Sequence, residues 1–372
     1  MTNKEELIIE NVGPIKKINL EIKKVNLFIG KNGTGKSLCG KILQIKRDIF
    51  QDEKLEEKFG IKSYINNRSK IEYINHNNYE RKLNDFFKKS KDKLEINDID
   101  EETLLHYLLN KDKVLNKNKK LAIEIAIKIL NFVLIKQSIQ NSYYIPVERS
   151  MVPFLSSYGI NFLSAKIPLP QYILEFASNF RLAKDYIKRM SVFDFTYRYE
   201  NEEDRIYINK DDFIFLKEAS SGVQALLPLK LTVTYLNEEE KKKYILEEPE
   251  LNLFPKEQFE IVKFMVENSD NIVFISHSPY IVSSLNLLLY AYKVGNFSDK
   301  TKKQVDKIIP QKYWINPNEF SAYYFYDGVA KNILSNGLIG ENSIDDVADE
   351  FSDLYDEINE IYYEAKNDKR WM

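Results

Sequence analysis

One cysteine, Cys39, is all that 372 residues provide. A lone thiol excludes an internal disulfide and fits a reducing compartment. Its place early in an expected helix suits a small buried side chain better than a reactive thiol. No apolar run approaches the ~18 residues that a membrane-spanning helix needs. The longest, at 129–135 and 281–290, are too short or too polar. The opening Met1-Thr2-Asn3-Lys4-Glu5-Glu6 has no apolar core of a secretion signal. A soluble, cytoplasmic protein is expected. Charge of one sign is also lacking, with 54 basic against 56 acidic side chains and a formal net charge of −2. That balance gives no global drive toward nucleic acid, although local lysine clusters could still form a patch. There is no His/Cys metal cluster, no nuclease motif, no internal repeat and no sustained heptad pattern. With 44% hydrophobic residues, the chain has enough apolar side chains for one large folded domain or two.

What is present centres on Gly30 to Ser37, G-K-N-G-T-G-K-S. It fits G-x-x-x-x-G-K-[ST], the loop whose backbone N–H groups wrap nucleotide phosphates. The run 25–29 before it reads as a buried strand, and 37–50 after it as a helix. A helix N-terminus adds unpaired N–H donors and positive partial charge where the phosphates would lie. Gly33 and Gly35 let the backbone approach without a Cβ in the way. Gly30, Asn32, Gly33, Gly35, Lys36 and Ser37 are the expected nucleotide-binding residues.

Around this loop the chain reads as an α/β protein. Two strands, 6–10 and 15–22, meet at Gly13-Pro14 and with the loop form an N-terminal β layer over 1–40. Residues 41–141 are rich in Lys, Asn and Glu with helical apolar spacing, and are expected to be a helical insertion. A core strand follows at 142–150, then a second, mostly helical insertion at 151–190, interrupted by Pro168 and Pro170. The lobe 191–335 opens with alternating Phe193, Phe195, Tyr197 and Tyr199, which predicts a hairpin turning at 201–204 and a further strand. A helix over 220–236, short buried strands at 244–247 and 271–276, and a hairpin at Asp327-Gly328 complete it. Residues 336–372 hold a markedly acidic helix.

Three further segments carry candidate chemistry. Tyr244 to Glu250, Y-I-L-E-E-P-E, is an apolar strand ending in paired carboxylates. One carboxylate can hold a metal's water shell while the other orients or deprotonates an attacking water. Ala219 to Gln224, A-S-S-G-V-Q, opens a helix, where a hydroxyl and a glycine can form an anion site or an ordinary N-cap. Ile272 to Pro279, I-V-F-I-S-H-S-P, is a strand ending on His277, at the edge where ligands collect in α/β sheets. His76 and His106 have no such context.

The order of these segments resembles the ATP-binding-cassette (ABC) ATPase head, in its SMC, RecF and OLD-like branch. The phrases Y-I-P-V-E-R-S (144–150), A-S-S-G-V-Q (219–224), E-E-P-E-L-N-L-F-P (247–255) and S-H-S-P-Y-I-V-S-S-L-N (276–286) carry the likeness. Within that branch the chain resembles the AAA-labelled, OLD-related ATPases of bacterial anti-phage defence. The nearer likeness is to the PtuA family of Septu systems, and the more distant one is to the AriA family of PARIS systems. The resemblance implies a P-loop NTPase head with ATP and Mg²⁺ as ligands. It puts Lys36 on the β- and γ-phosphates, Ser37 and Glu247 on the metal, and Glu248 in the catalytic-base place. His277 becomes the switch histidine and Ser221 with Gly222 the signature loop, which contacts the γ-phosphate held by a second subunit. Asn252 falls where the dimer interface crosses, and Arg149 stands where relatives carry a Q-loop glutamine. Glu247 replaces the aspartate common in transporters, and Val223 replaces the second signature glycine.

These correspondences imply an ATPase that forms a homodimer through composite ATP sites, with possible higher assembly. They also imply a sensor subunit controlling a separately encoded effector, such as a nuclease or toxin. An OLD nuclease would continue into an acid-rich metal-binding domain, and the tail after Asn286 shows no strand-borne D-x-D pattern. A RecF-like DNA-maintenance ATPase clamping duplex DNA is the alternative. A transporter subunit fits less well, because Lys36 and Ser221 stand too far apart along the chain. A structural scaffold without turnover also stays open at this point.

Overall fold

The computed structural model describes residues 5–47, 59–75, 142–155, 169–209 and 212–340. The chain divides into two units, residues 1–5 with 74–141 and residues 6–73 with 142–372. The account below concerns the second.

Alternating apolar residues make strands of Glu5–Val12 (β1) and Ile15–Ile22 (β2), with Leu7, Ile9, Ile18 and Leu20 buried on one face. The two strands are neighbours joined by only two residues, so they run antiparallel. Gly13 makes the turn at φ 52°, with no room for a Cβ against Tyr64 and Leu38.

Val25–Gly30 (β3) is buried at all six positions and feeds the loop into Lys36–Arg47 (α1). The helix reading for 37–50 therefore holds as far as residue 47, and 48–50 lie outside the described residues. The helical reading of 41–141 holds at 41–47 and needs correction at 59–75. Residues 59–75 hold a 3₁₀ turn at Lys62–Tyr64 and a strand at Lys70–Asn75 (β4), which pairs with the free edge of β1. The alternation in K-I-E-Y-I suits a strand, and an open sheet edge was there to receive it. The rest of that insertion lies outside the described residues.

Ser142–Ile145 (β5) returns to the main sheet. Gln171–Tyr186 (α2) begins directly after Pro170. Arg189–Val192 (β6), Phe195–Glu200 (β7), Glu203–Tyr207 (β8) and Phe213–Phe215 (β9) form a four-stranded antiparallel meander, one strand more than the alternation predicted. Ser221–Leu236 (α3), Lys242–Glu247 (β10), Pro255–Asn268 (α4), Ser269–Ser276 (β11) and Pro279–Gly295 (α5) follow. Asp299–Ile308 (α6) leads to Phe320–Tyr326 (β12), which turns at Asp327-Gly328 into Val329–Asn332 (β13). Both turn residues have positive φ, 46° and 81°, as a two-residue hairpin requires. A small pair, Leu334–Ser335 (β14) and Leu338–Ile339 (β15), closes the described chain. The expected acidic C-terminal helix lies outside the described residues. Among the described residues no helix is long and apolar enough to cross a membrane.

The main sheet runs β13-β12-β3-β11-β10-β5, with β13 antiparallel and the other five parallel. Its central strands feed two cores. Leu27, Ile29, Leu246 and Phe274 face the layer of α3, α4 and α5, whereas Phe28, Ile245, Val273 and Ile275 face α1 and the N-terminal sheet. Burial on both faces explains the continuous apolar runs. α1 lies so close to the sheet that a Cβ on Gly40 would sit 2.4 Å from Ile275 Cδ1. Cys39, on the same helix, is fully buried, and burial pushes its thiol far above the ordinary range. The α/β class and the N-terminal β layer match the expectation from sequence.

One buried amide fixes the register of the sheet centre. Asn26, wholly buried in β3, donates through Nδ2 to the carbonyls of Lys23 (2.7 Å) and Ile272 (2.9 Å). Its Oδ1 accepts from the Lys23 amide and the Ser321 hydroxyl, both at 2.7 Å. All four hydrogen-bonding positions are used, tying β3 to β11 and β12. Asn26→Ala should cost about 1–3 kcal/mol by stranding these partners. Urea unfolding measures this, and an unchanged midpoint would show that the amide does not set the register.

Candidate active site

Parallel pairing places the chemical residues in one row. Ile29 lies opposite Ser276, Glu247 opposite Ile275, and Leu246 opposite Ile145. Each strand thus ends at the same level. Gly30, His277, Glu248 and the turn after Ile145 follow one another along the carboxyl edge of the sheet, where α/β folds bind ligands.

The phosphate loop takes its shape from three glycines. Gly30, at φ 145°, has the Phe325 carbonyl 2.3 Å from where a Cβ would be. Gly33 and Gly35 have φ 77° and 99°, the latter packed on Ile15, so side chains are disfavoured at both. Thr34 Oγ1 donates to the Lys31 carbonyl at 2.8 Å, and the Cys39 amide to the Gly35 carbonyl at 2.9 Å. Lys36 folds back over the loop, donating to the Gly30 and Lys31 carbonyls, each at 2.7 Å. Burial lowers its pKa, and the carboxylates of Glu248, Glu250 and Glu247 act in the opposite direction. α1 carries no acid in its first turn and ends on Lys46 and Arg47, so its N-terminus keeps its positive field.

Glu248 follows β10 in the left-handed region, at φ 41°. A residue with a Cβ adopts that conformation only where its surroundings enforce it. Its amide donates to the Ile275 carbonyl at 2.8 Å, and its carbonyl accepts from Leu251 at 3.0 Å, closing a turn around Pro249. The Glu248 carboxylate lies 3.7 Å from His277 Nδ1. Glu247 is buried, close enough to Tyr144 that burial, then this carboxylate, raise the phenol's pKa well above its usual value.

Glu250 was not among the residues singled out from sequence. Its Oε1 accepts from Ser276 Oγ at 2.8 Å and from the His277 amide at 3.0 Å, and lies 3.4 Å from His277 Nδ1. It holds the histidine's backbone, and both it and Glu248 approach the same ring nitrogen. The third acid of E-E-P-E was the available signal.

Lys36, Glu248 and His277 share a cavity of about 460 Å³ with Asn32 through Ser37, whereas Gly30, Glu247 and Glu250 do not line it. Its other wall is Pro14, Phe59, Ile61 and Tyr64, which sequence reading did not include. The volume suits a small-molecule ligand. Among the described residues no group of three or more His, Cys, Asp or Glu is arranged to hold a metal. The donors present, exposed Ser37 and buried Glu247, suit Mg²⁺, which takes one or two protein ligands and the rest from phosphate and water.

Ser221, Gly222 and Asn252 do not line this cavity. Gly222 and Asn252 meet each other instead, because a Cβ on Gly222 would sit 2.7 Å from the Asn252 carbonyl. Asn252 has φ 57°, and both Ser221 and Asn252 are exposed. Phe254 beside them is 75% exposed. Arg149 is also outside the cavity, and is fully buried.

Comparison with known proteins adds a domain match. A family model described as an AAA ATPase domain matches residues 160–282, a span that contains Ser221, Glu247, Glu248 and His277. No curated protein matches the chain. Among solved structures, the Smc head domain bound to the C-terminal domain of ScpA from Pyrococcus furiosus is 12% identical with a TM-score of 0.37, covering 96% of this chain and 99% of that one. The SMC head from Thermotoga maritima is 12% identical at a TM-score of 0.37, covering 90% and 100% respectively. CbiO1 from Clostridium perfringens, part of an ABC transporter complex, is 14% identical at 0.33, covering 87% and 86%. The matched span supports an ATPase domain and does not reach the phosphate loop, whose geometry is a separate observation that fits nucleotide binding.

Nucleotide should therefore raise the thermal midpoint, in proportion to about 2.7 kcal/mol when ligand is a hundredfold above Kd. Lys36→Ala should abolish that rise with MgATP. A rise of wild-type size in the variant would show that this loop is not the phosphate site.

Proposed function

We propose that this chain binds and hydrolyses MgATP in a homodimer that closes on ATP and opens on hydrolysis, and that it serves as the sensor subunit of an anti-phage system. The observation that carries the ATP reading is the convergence of Lys36, Glu248 and His277 on one cavity. Lys36 would exchange its two loop carbonyls for the β- and γ-phosphates, leaving its charge where negative charge develops. Mg²⁺ held by Ser37 and Glu247 would supply charge neutralisation across the phosphates. Glu248 would take the proton of the attacking water, and His277, kept in place by Glu250, would sense the γ-phosphate.

The dimer reading rests on the residues left outside. Ser221 and Asn252 are exposed, backed by a glycine contact that leaves no space for a side chain, and the adjoining Phe254 is apolar and open. A second copy presenting this surface to the phosphate loop would complete both sites by symmetry. The sensor role, and control of a separately encoded nuclease or toxin, rest on the motif phrases around 144–150, 219–224, 247–255 and 276–286.

Glu248→Gln tests both parts. Turnover should fall about 10²–10⁴-fold, and sedimentation should show a dimer that persists in ATP. Hydrolysis at the wild-type rate would remove Glu248 as the base, and a monomer in ATP would remove the gated dimer. Purification of the tagged chain with its neighbouring genes should bring down an effector protein in an ATP-dependent manner. A lone dimer on duplex DNA would contradict the sensor role.

A further inference from the structure

Arg149 is the largest fully buried side chain among the described residues, at 1% exposure, and it does not line the phosphate cavity. It lies in the 3₁₀ turn Val147–Met151 directly after β5, the strand beside β10. Both terminal nitrogens of its guanidinium donate to backbone, while the buried Nε has no hydrogen-bond partner. Nη1 donates to the carbonyls of Pro146 (3.0 Å) and Glu247 (2.6 Å), and Nη2 to that of Glu248 (2.5 Å). Burial lowers its pKa to about 10, with the carboxylates of Glu250, Glu247, Glu248 and Glu148 opposing that shift. A guanidinium remains charged there, and a buried charge is kept only with close partners.

Two of the three carbonyls it holds flank the left-handed residue of the site. Glu248 sits at φ 41°, between a carbonyl gripped by Nη1 and its own carbonyl gripped by Nη2. The same Glu248 carbonyl accepts the Leu251 amide, so the fork also braces the turn over Pro249. We infer that Arg149 is a positioning residue that locks the Glu247–Glu248 backbone in the conformation aiming the Glu248 carboxylate into the phosphate cavity. Its turn packs against α3, the helix whose first residue is Ser221, and against α2. Tyr172 of α2 donates to Glu148 at 3.1 Å, anchoring the same turn from its other side. Movement of α3 when a second copy engages Ser221 therefore has a short rigid path to the carboxylate. This inference rests on the reading of Glu248 as the base.

The decisive variant is Arg149→Lys, which keeps a charge but cannot span two carbonyls. Small misplacement of a reacting group costs about a hundredfold, so kcat should fall by that order while the KM for ATP stays within about twofold. Exchange of the Glu248 and Leu251 amides should speed up, with the amides of α1 unchanged. Arg149→Met, which removes the buried charge as well, covers the case in which the lysine variant does not fold, and should show the same split. Unchanged kcat, or unchanged exchange at Glu248 and Leu251, overturns the inference. So does a parallel loss of kcat, ATP affinity and thermal stability, which would mark Arg149 as a core residue only. Wild-type turnover measured alongside separates these results from failure of the ATPase reading itself.

Discussion

Everything at this site depends on five parallel strands ending level. Parallel pairing fixes the height of each strand end, and a slip of one residue would turn every side chain to the opposite face. Here the register sets Ile29 beside Ser276 and Ile275 beside Glu247. The phosphate loop, His277 and the Glu248 turn therefore emerge together. A fully satisfied Asn26 at the sheet centre makes the register discrete, because its four hydrogen bonds can be made in one alignment only. The two apolar cores supply the stability, and the buried amide supplies the specificity.

Order at the sheet edge is held by polar side chains bonded to backbone. Lys36 occupies its own loop carbonyls, Glu250 holds the Ser276–His277 backbone, and Arg149 grips the Glu247 and Glu248 carbonyls. Glu250 and Arg149 fix backbone and leave His277 and Glu248 to face the cavity, whereas Lys36 faces it itself. Such preorganisation reduces the reordering required when charge develops during phosphoryl transfer. It also lets distant helices reach the site, since α2 and α3 bear on the turn that carries Arg149.

Much of this was legible from residues alone. The glycine pattern, the E-E pair after an apolar strand and the histidine after another announced the row, because backbone conformation and strand ends are local properties. The strand at 70–75 was not seen, because its pairing depends on the edge of β1, some sixty residues away in the chain. Glu250 and Arg149 escaped as site-builders for a similar reason. An acid and an arginine on loops look like solvated charge until the fold buries them beside particular carbonyls and amides. The cavity wall of Phe59, Ile61 and Tyr64 was hidden inside a segment whose composition reads as helix.

The proposed dimer makes a specific demand, because Ser221 lies outside the cavity that holds the phosphate loop: each site takes residues from two copies. Mixing two inactive variants, Lys36→Ala and Ser221→Arg, measures this directly. In a mixed dimer one site carries both lesions and the other carries none. Composite sites predict that hydrolysis returns on mixing, toward about a quarter of the wild-type rate for random pairing. A mixture as inactive as its separate components would contradict shared sites and confine the chemistry to a single chain.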